Sequence, residues 1–287
     1  RRMRLWLFMV STILLLLGIQ ALMPTWHVLP GAFDGLSATT VMVIFFAALL
    51  CEYMDSSLGM GYGTTLTPLL LLMGFDPLQV VPAVLISELF TGVAAGLMHQ
   101  RDGNVDFLHD PRARRTALQL SALSTLGAVA AVWVAVSISK FLLGIFITTI
   151  VLAMGVVILL TRKRQIRYRS GSIITVGALA AFNKGLSGGG YGPLVTSGQV
   201  VSGLPAKHAV AITSIAESLV CAVGLAAYLF LGKTIDWTLA IPLATGALLS
   251  VPLATLTVRR VSEGTMRATV GIATLILGLV ALLKLIN

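Results

Sequence analysis

The stretches Gly59-Met60-Gly61-Tyr62-Gly63 and Gly188-Gly189-Gly190-Tyr191-Gly192 lie 129 residues apart in this chain. The match continues without a gap through Thr67 and Thr196, Gly74 and Gly203, Val81 and Val210, Ile86 and Ile215, and Glu88 and Glu217. Each copy sets a carboxylate inside an otherwise apolar segment. A duplicated chain whose hydrophobic segments are broken by glycine at matching positions has the form of a secondary transporter, with its site where the copies meet.

Working outward, 57% of the 287 residues are hydrophobic, 11% are charged, and the mean hydropathy is +0.95. That leaves too little polar surface to cover a water-soluble globule of this length. Apolar runs of about 20 residues, enough to cross a bilayer, are predicted near 5–24, 76–99, 115–137, 139–161, 205–232, 236–257 and 265–286. Shorter pairs surround the glycine clusters. Arg1 to Arg4 open the first run, which continues to Met23 without an A-x-A pattern, so it reads as a crossing and not as a cleaved leader.

The net charge of +9 is spread over short flanks: Arg1, Arg2 and Arg4; Arg101 to Arg115; Arg162-Lys163-Arg164 with Arg167 and Arg169; and Arg259, Arg260 and Arg267. This is the positive-inside pattern of a membrane protein. It excludes a nucleic-acid partner, which needs basic residues gathered on a soluble module. Cys51 and Cys221 lie within apolar segments and read as small buried hydrophobes. His27, His99, His109 and His208 show no metal-ligand spacing, so neither a metal nor a cofactor is expected.

Placing the basic loops in the cytoplasm fixes a path. The first helix leaves the cytoplasm, 38–74 begins and ends outside, and 76–99 returns. After two more crossings, 171–203 begins and ends inside. The fold class predicted is an all-α polytopic membrane protein with two inverted repeats, each a re-entrant broken-helix hairpin plus three crossings. An extra amino-terminal helix and loop (1–37) precede repeat one (38–169) and repeat two (170–287). The ten residues Ile173 to Phe182 provide only about 15 Å of helix, which favours a re-entrant hairpin over a full crossing.

Unwound backbone at membrane depth is tolerated only where it is buried in protein or lines a wet cavity. Glycine there also lets a ligand approach the chain closely. Helices are predicted to restart near Thr64–Thr65 and at Pro193, and their amino ends favour an anion. The predicted site for a small anionic substrate therefore comprises Gly61, Tyr62, Gly63, Thr64, Thr65, Ser187, Gly189, Gly190, Tyr191 and Gly192. Lys184 joins them as a direct anion ligand if it is free. Asp55 is its repeat mate, and an Asp55–Lys184 pair would consume that charge. Glu52, one turn before Asp55, adds negative charge. Glu88 and Glu217 each lie about 18 Å into a helix, and intramembrane acids of this kind are candidates for ion pairing or for carrying a coupling proton.

The segments GMGYGTTLTPLLLLMGFDPLQVVPAVLISE and NKGLSGGGYGPLVTSGQVVSGLPAKHAVAITSIAES resemble the two signature halves of the TauE/SafE sulfite exporter family. The resemblance spans about 38–232. It implies an inner-membrane carrier of sulfite, organosulfonates or other small sulfur-containing anions, working by alternating access and exporting its solute. Asp76-Pro77 in one copy against Pro205-Ala206 in the other is a departure between the turns. Cys51 and Cys221 lie outside the glycine clusters, unlike the cysteines of a thiosulfate-importing relative. Two other functions fit parts of the chain. Re-entrant hairpins also build channels, and Gly185-Leu186-Ser187-Gly188 with His208 spells the serine motif of an intramembrane protease, although Leu58 stands where the first copy would need serine.

Overall fold

The computed structural model describes residues 36–161, 172–201, 206–257 and 263–286, and every regular element among them is a helix. Expectations placed on residues before 36, on 162–169, and on Gly203, Pro205, Arg259 and Arg260 lie outside the described residues. The helices are α1 (Ala38–Leu58), α2 (Tyr62–Leu72), α3 (Pro77–Arg101), α4 (Pro111–Ser137) and α5 (Lys140–Thr161), then α6 (Ser172–Ser187), α7 (Tyr191–Val201), α8 (Ala206–Phe230), α9 (Trp237–Thr257) and α10 (Glu263–Ile286). Among the described residues, six helices are long and apolar enough to cross a membrane: α1, α3, α4, α5, α8 and α9.

The 129-residue offset carries over into the helix bounds. Both α2 and α7 have 11 residues, and both α3 and α8 have 25, each pair starting 129 apart. Packing follows the same exchange. Helix α1 lies along α9 and α6 along α4, while α3 packs on α8 and α5 on α10. Each copy therefore buries its apolar faces against the other copy.

Each glycine break is built the same way. The first arm ends on a left-handed glycine, Gly59 (φ 69°) or Gly188 (φ 73°), whose amide donates to the carbonyl of Asp55 (2.5 Å) or Lys184 (2.8 Å). A left-handed residue closes a helix in this way most cheaply when it is glycine. Two residues on, Gly61 (φ 133°) and Gly190 (φ 84°) again take positive φ, and the chain re-enters helix at Tyr62 and Tyr191. Helix α2 thus starts two residues before the expected Thr64 and α7 two before Pro193, because the second positive-φ glycine already turns the chain into the helix direction. Pro193 sits third in α7, where its missing N–H is among those without an intrahelical partner anyway.

The first arms are longer than expected. Helix α1 has 21 residues, about 31 Å, so shortness is no argument against its crossing a bilayer. Helix α6 runs past Phe182 to Ser187, because the polar pair Asn183-Lys184 continues the helix to the glycine, with Lys184 directed into buried acid partners.

One end of the bundle carries the links α2–α3, α4–α5 and α8–α9. There Asp76 meets Lys140 (2.5 Å) and Gln79 donates to Asp236 (3.2 Å). Asp76 and Gln79 also form the capping box that starts α3, with Pro77 in its first turn. The opposite end carries the loop after α3, where Asn104 donates to the Thr255 carbonyl of α9 (3.3 Å). In that loop the His109 amide, then Gln100, hold the Asp106 carboxyl below its ordinary pKa. Leu97, Leu126, Leu160 and Phe230 stand exposed on the outer faces of the helices, as side chains bathed in lipid do.

The two breaks meet backbone to backbone. A Cβ at Gly63 would overlap the Gly188 carbonyl, and the equivalent atom at Gly192 would overlap the Gly59 carbonyl, a reciprocal contact under the 129-residue exchange. Gly189 leaves only 2.6 Å between an added Cβ and the Gly63 carbonyl carbon or the Thr64 nitrogen. Gly63→Ala and Gly192→Ala are each expected to destabilise the protein by about 1–3 kcal/mol through overpacking, read as a lower melting temperature in detergent. Gly177→Ala, where the nearest atom would be 3.5 Å away, is expected to change it little.

Candidate functional site

Glu88 and Glu217 are each the twelfth residue of a 25-residue helix. Because α3 and α8 pack on one another, the two carboxylates face a common centre. Lys184 enters that centre from the end of α6, one turn before the break at Gly188, and is completely buried. Its Nζ makes ion pairs with Glu217 Oε1, at 2.8 Å, and with Glu88 Oε2. The sequence left two possibilities for Lys184, a pair with Asp55 or a free anion ligand, and the structure shows a third. Its charge is claimed by the two glutamates, which the α3–α8 contact brings together, while Asp55 turns to the start of α2 and takes the Tyr62 amide at 3.4 Å.

That last contact bears on the anion-binding expectation. Asp55 supplies a carboxylate to the amino end of α2, where a bound anion was expected. In the second copy no carboxylate takes this place, and the Ser187 hydroxyl accepts the Gly189 amide ahead of α7 (3.1 Å) and donates to the Asn183 carbonyl (2.7 Å). The Ser187 hydroxyl is thus engaged with the hairpin's own backbone.

The tyrosines turn away from the breaks into the bundle. Tyr62 and Tyr191 are fully buried. The Tyr62 hydroxyl pairs with Ser87 Oγ (2.7 Å), and the Tyr191 hydroxyl with Ser124 Oγ (3.3 Å). Thr64 donates to the Gly61 carbonyl (3.3 Å), and Thr65 pairs with Thr274 of α10 (3.4 Å). Gly61, Gly63, Gly189, Gly190 and Gly192 form the interlocked turn itself. The structure thus brings Asp55, Glu88, Lys184 and Glu217 together at the crossing and gives the hydroxyls of Tyr62, Tyr191, Thr64, Thr65 and Ser187 partners within the protein.

Beside the crossing lies a cavity of about 10 Å³ lined by Glu52, Asp55, Glu88, Thr91, Gly92, Ser214 and Glu217. It has room for about one water molecule and is too small for a sulfur oxyanion. A larger hollow of about 300 Å³ opens between Leu71, Phe75, Lys140 and Thr148 at the Asp76–Lys140 end, away from the charge cluster. Among the described residues no group of His, Cys, Asp and Glu has the geometry of a metal site.

Two further buried polar residues stand in or next to the cluster. Glu52 is buried, accepts from Ser56 Oγ at 2.6 Å through Oε1, and leaves Oε2 without a partner. Its helical spacing of three from Asp55 puts the two on one face, a signal that was present in the sequence. His99 is fully buried: it contacts the Ser56 carbonyl through Nε2 (3.0 Å) and receives Asn104 Nδ2 at Nδ1 (3.0 Å). Only the fold could show this, since His99 stands 43 residues from Ser56.

Removing Lys184 would strand two glutamates in a nonpolar interior. Lys184→Met is expected to destabilise the fold by about 3–5 kcal/mol, and Lys184→Met with Glu88→Gln and Glu217→Gln should recover most of that loss. Denaturation of the purified variants in detergent measures both.

The model of the sulfite exporter TauE/SafE family matches residues 44–281, which include both glycine breaks and the whole charge cluster. A "Probable membrane transporter protein YtnM" of Bacillus subtilis (strain 168) is 28% identical over 244 residues, covering 80% of this chain and 79% of that protein. No solved structure matches the chain. With the family model covering most of the sequence, including the paired breaks and their buried ion pairs, the chain belongs to the TauE/SafE family of membrane transporters.

Proposed function

We propose that this protein is a secondary carrier that moves small sulfur-containing anions, sulfite or organosulfonates, out of the cell across the bacterial inner membrane by alternating access. The observation that carries this proposal is the reciprocal crossing of the two glycine breaks beside the Lys184 cluster. In this proposal the two copies, 38–169 and 170–287, are inverted in the membrane. The basic loops and the amino terminus face the cytoplasm, and the breaks lie near mid-depth.

The closed crossing leaves no room for a solute, so the substrate site forms when one copy rocks against the other. Parting the breaks frees the first-turn amides of α7, and those of α2 once the Asp55 carboxyl lets go of the Tyr62 amide. With Thr64, Thr65 and Ser187 they offer donors to an oxyanion at two helix amino ends. The same motion separates α6 from α3 or α8 and loosens one of the Lys184 ion pairs. Lys184 then supplies positive charge to the anion, and the released glutamate must be neutralised. A coupling proton meets that requirement. The tyrosines act as packing anchors that keep α2 and α7 aligned through Ser87 and Ser124.

A thermal-shift screen of the purified protein against sulfite, sulfate, thiosulfate, taurine, isethionate and sulfoacetate tests the substrate class. A true ligand at about 100 times its Kd stabilises the fold by about 2.7 kcal/mol. Sulfite or a sulfonate should raise the melting temperature, and Gly190→Leu should abolish the rise. No shift with any sulfur anion, while other solutes shift it, would contradict the proposal. In proteoliposomes, Glu88→Gln and Glu217→Gln are expected to reduce transport and to alter its pH dependence.

A further inference from the structure

Four carboxyl groups, Glu52, Asp55, Glu88 and Glu217, line one buried cavity, and a single ammonium, Lys184, lies among them. With every acid ionised the cluster would hold three negative charges in excess inside an apolar bundle. Such an excess is costly, and buried acids of this kind are found paired or neutralised. Glu88 and Glu217 share the ammonium, and Asp55 takes the Tyr62 amide. Glu52 accepts the Ser56 hydroxyl on Oε1 and has the Thr91 hydroxyl beside its carboxyl, and Oε2 is buried without a hydrogen bond of its own. Glu88 Oε1 is likewise buried and unpartnered. Both side chains border the cavity of about 10 Å³, the space of one water.

We propose that Glu52 and Glu88 share one proton across this cavity, bridged by a single water, and that this site on α1 and α3 loads the proton coupled to transport. The proton leaves or arrives through the water in the cavity, and no bond other than O–H is made or broken. A proton on Glu52 gives its free oxygen a hydrogen to donate and gives the orphaned Glu88 oxygen a hydrogen to accept. A metal cation fits less well, since no three of these groups converge as metal ligands among the described residues.

The groups facing Glu52 come from several elements. They are Cys51 and Asp55 on α1, Tyr62 on α2, and Glu88 and Thr91 on α3, with Glu217 of α8 on the same cavity, Lys184 of α6 paired with Glu88 and Glu217, and His99 of α3 on the Ser56 carbonyl. Helix α9, which covers α1 from another side, has no titratable residue along its length. The bases among these groups are Lys184, already held by two glutamates, and His99, engaged by the Ser56 carbonyl and by Asn104. Release of the shared proton would therefore pull Lys184 toward α1 and α3, which links the charge of this site to the position of the second hairpin.

The role in transport rests on the carrier function proposed above, whereas the proton itself is a property of the folded chain and is measured without substrate. Infrared spectra of the full chain in lipid nanodiscs, compared between acidic and alkaline pH, read the carbonyl stretch of a protonated carboxylic acid. The wild type is expected to show such a band at neutral pH. Glu52→Gln should remove it, and Glu217→Gln should leave it in place. The folded chain then holds a proton that the unfolded chain has released at neutral pH, so the melting temperature falls as pH rises, and Glu52→Gln should flatten that slope.

A band that survives in Glu52→Gln, or one lost in Glu217→Gln instead, overturns the assignment. So does a melting temperature that rises with sodium over choline while the band is absent. If Glu52→Gln fails to fold, Ser56→Ala, which removes only the hydroxyl on Oε1, must shift the band in frequency. An unmoved band then overturns the proposal. In proteoliposomes, Glu52→Gln should abolish the response of sulfite transport to a pH gradient. Should the wild type carry no sulfur anion while the band behaves as expected, the substrate class falls and the proton site stands.

Discussion

Two turns of backbone cannot approach each other this closely unless no side chain stands between them. At Gly63 on Gly188 and at Gly192 on Gly59, the missing Cβ atoms are the space that the other copy's carbonyl occupies. The rest of the molecule is arranged around this constraint. It joins the short helices α2 and α7 to the bundle and brings the end of α6 within reach of α3 and α8. It also makes the positive φ of Gly59, Gly61, Gly188 and Gly190 structural requirements of the fold.

The second consequence is electrostatic. A lysine buried in an apolar interior is stable there only with acid partners, and Lys184 has them because the twelfth residues of α3 and α8 face the same point. The pairing spans three helices from both copies. It resists separation of the copies when intact, yet it leaves Glu52 and Asp55 as further acids at the same place. A centre with one base and an excess of acid is sensitive to any proton or anion that changes the balance. That sensitivity is what a coupled carrier requires.

Much of this was legible in the residues. The 129-residue repeat predicted matching breaks, and the bounds of α2 with α7 and of α3 with α8 follow it. Glu88 and Glu217 were placed mid-helix by counting alone. What the sequence could not show was which oppositely charged groups meet. Asp55 and Lys184 occupy equivalent positions, yet they part because the Lys184 chain reaches the α3–α8 interface while Asp55 stays at the start of α2. The tyrosines read as substrate contacts because they follow glycine, but the direction of a side chain at the first residue of a helix depends on what packs there. Here the hydroxyls of Tyr62 and Tyr191 meet Ser87 and Ser124. His99 gave no signal in the sequence, since its partners Ser56 and Asn104 come from the end of α1 and from the loop after α3.

The central claim is that the copies close on each other along α3 and α8 and must part for transport. A Cβ at Gly96 would lie 3.7 Å from the Cβ of Ile215, within the range of about 3.5–4.5 Å that a disulfide spans. The direct measurement is sulfite transport by Gly96→Cys/Ile215→Cys, in a background of Cys51→Ala and Cys221→Ala, before and after oxidation. The account predicts that the pair cross-links within one chain, that transport stops on oxidation, and that reductant restores it. Failure of the pair to cross-link, or full transport by the cross-linked protein, would contradict it.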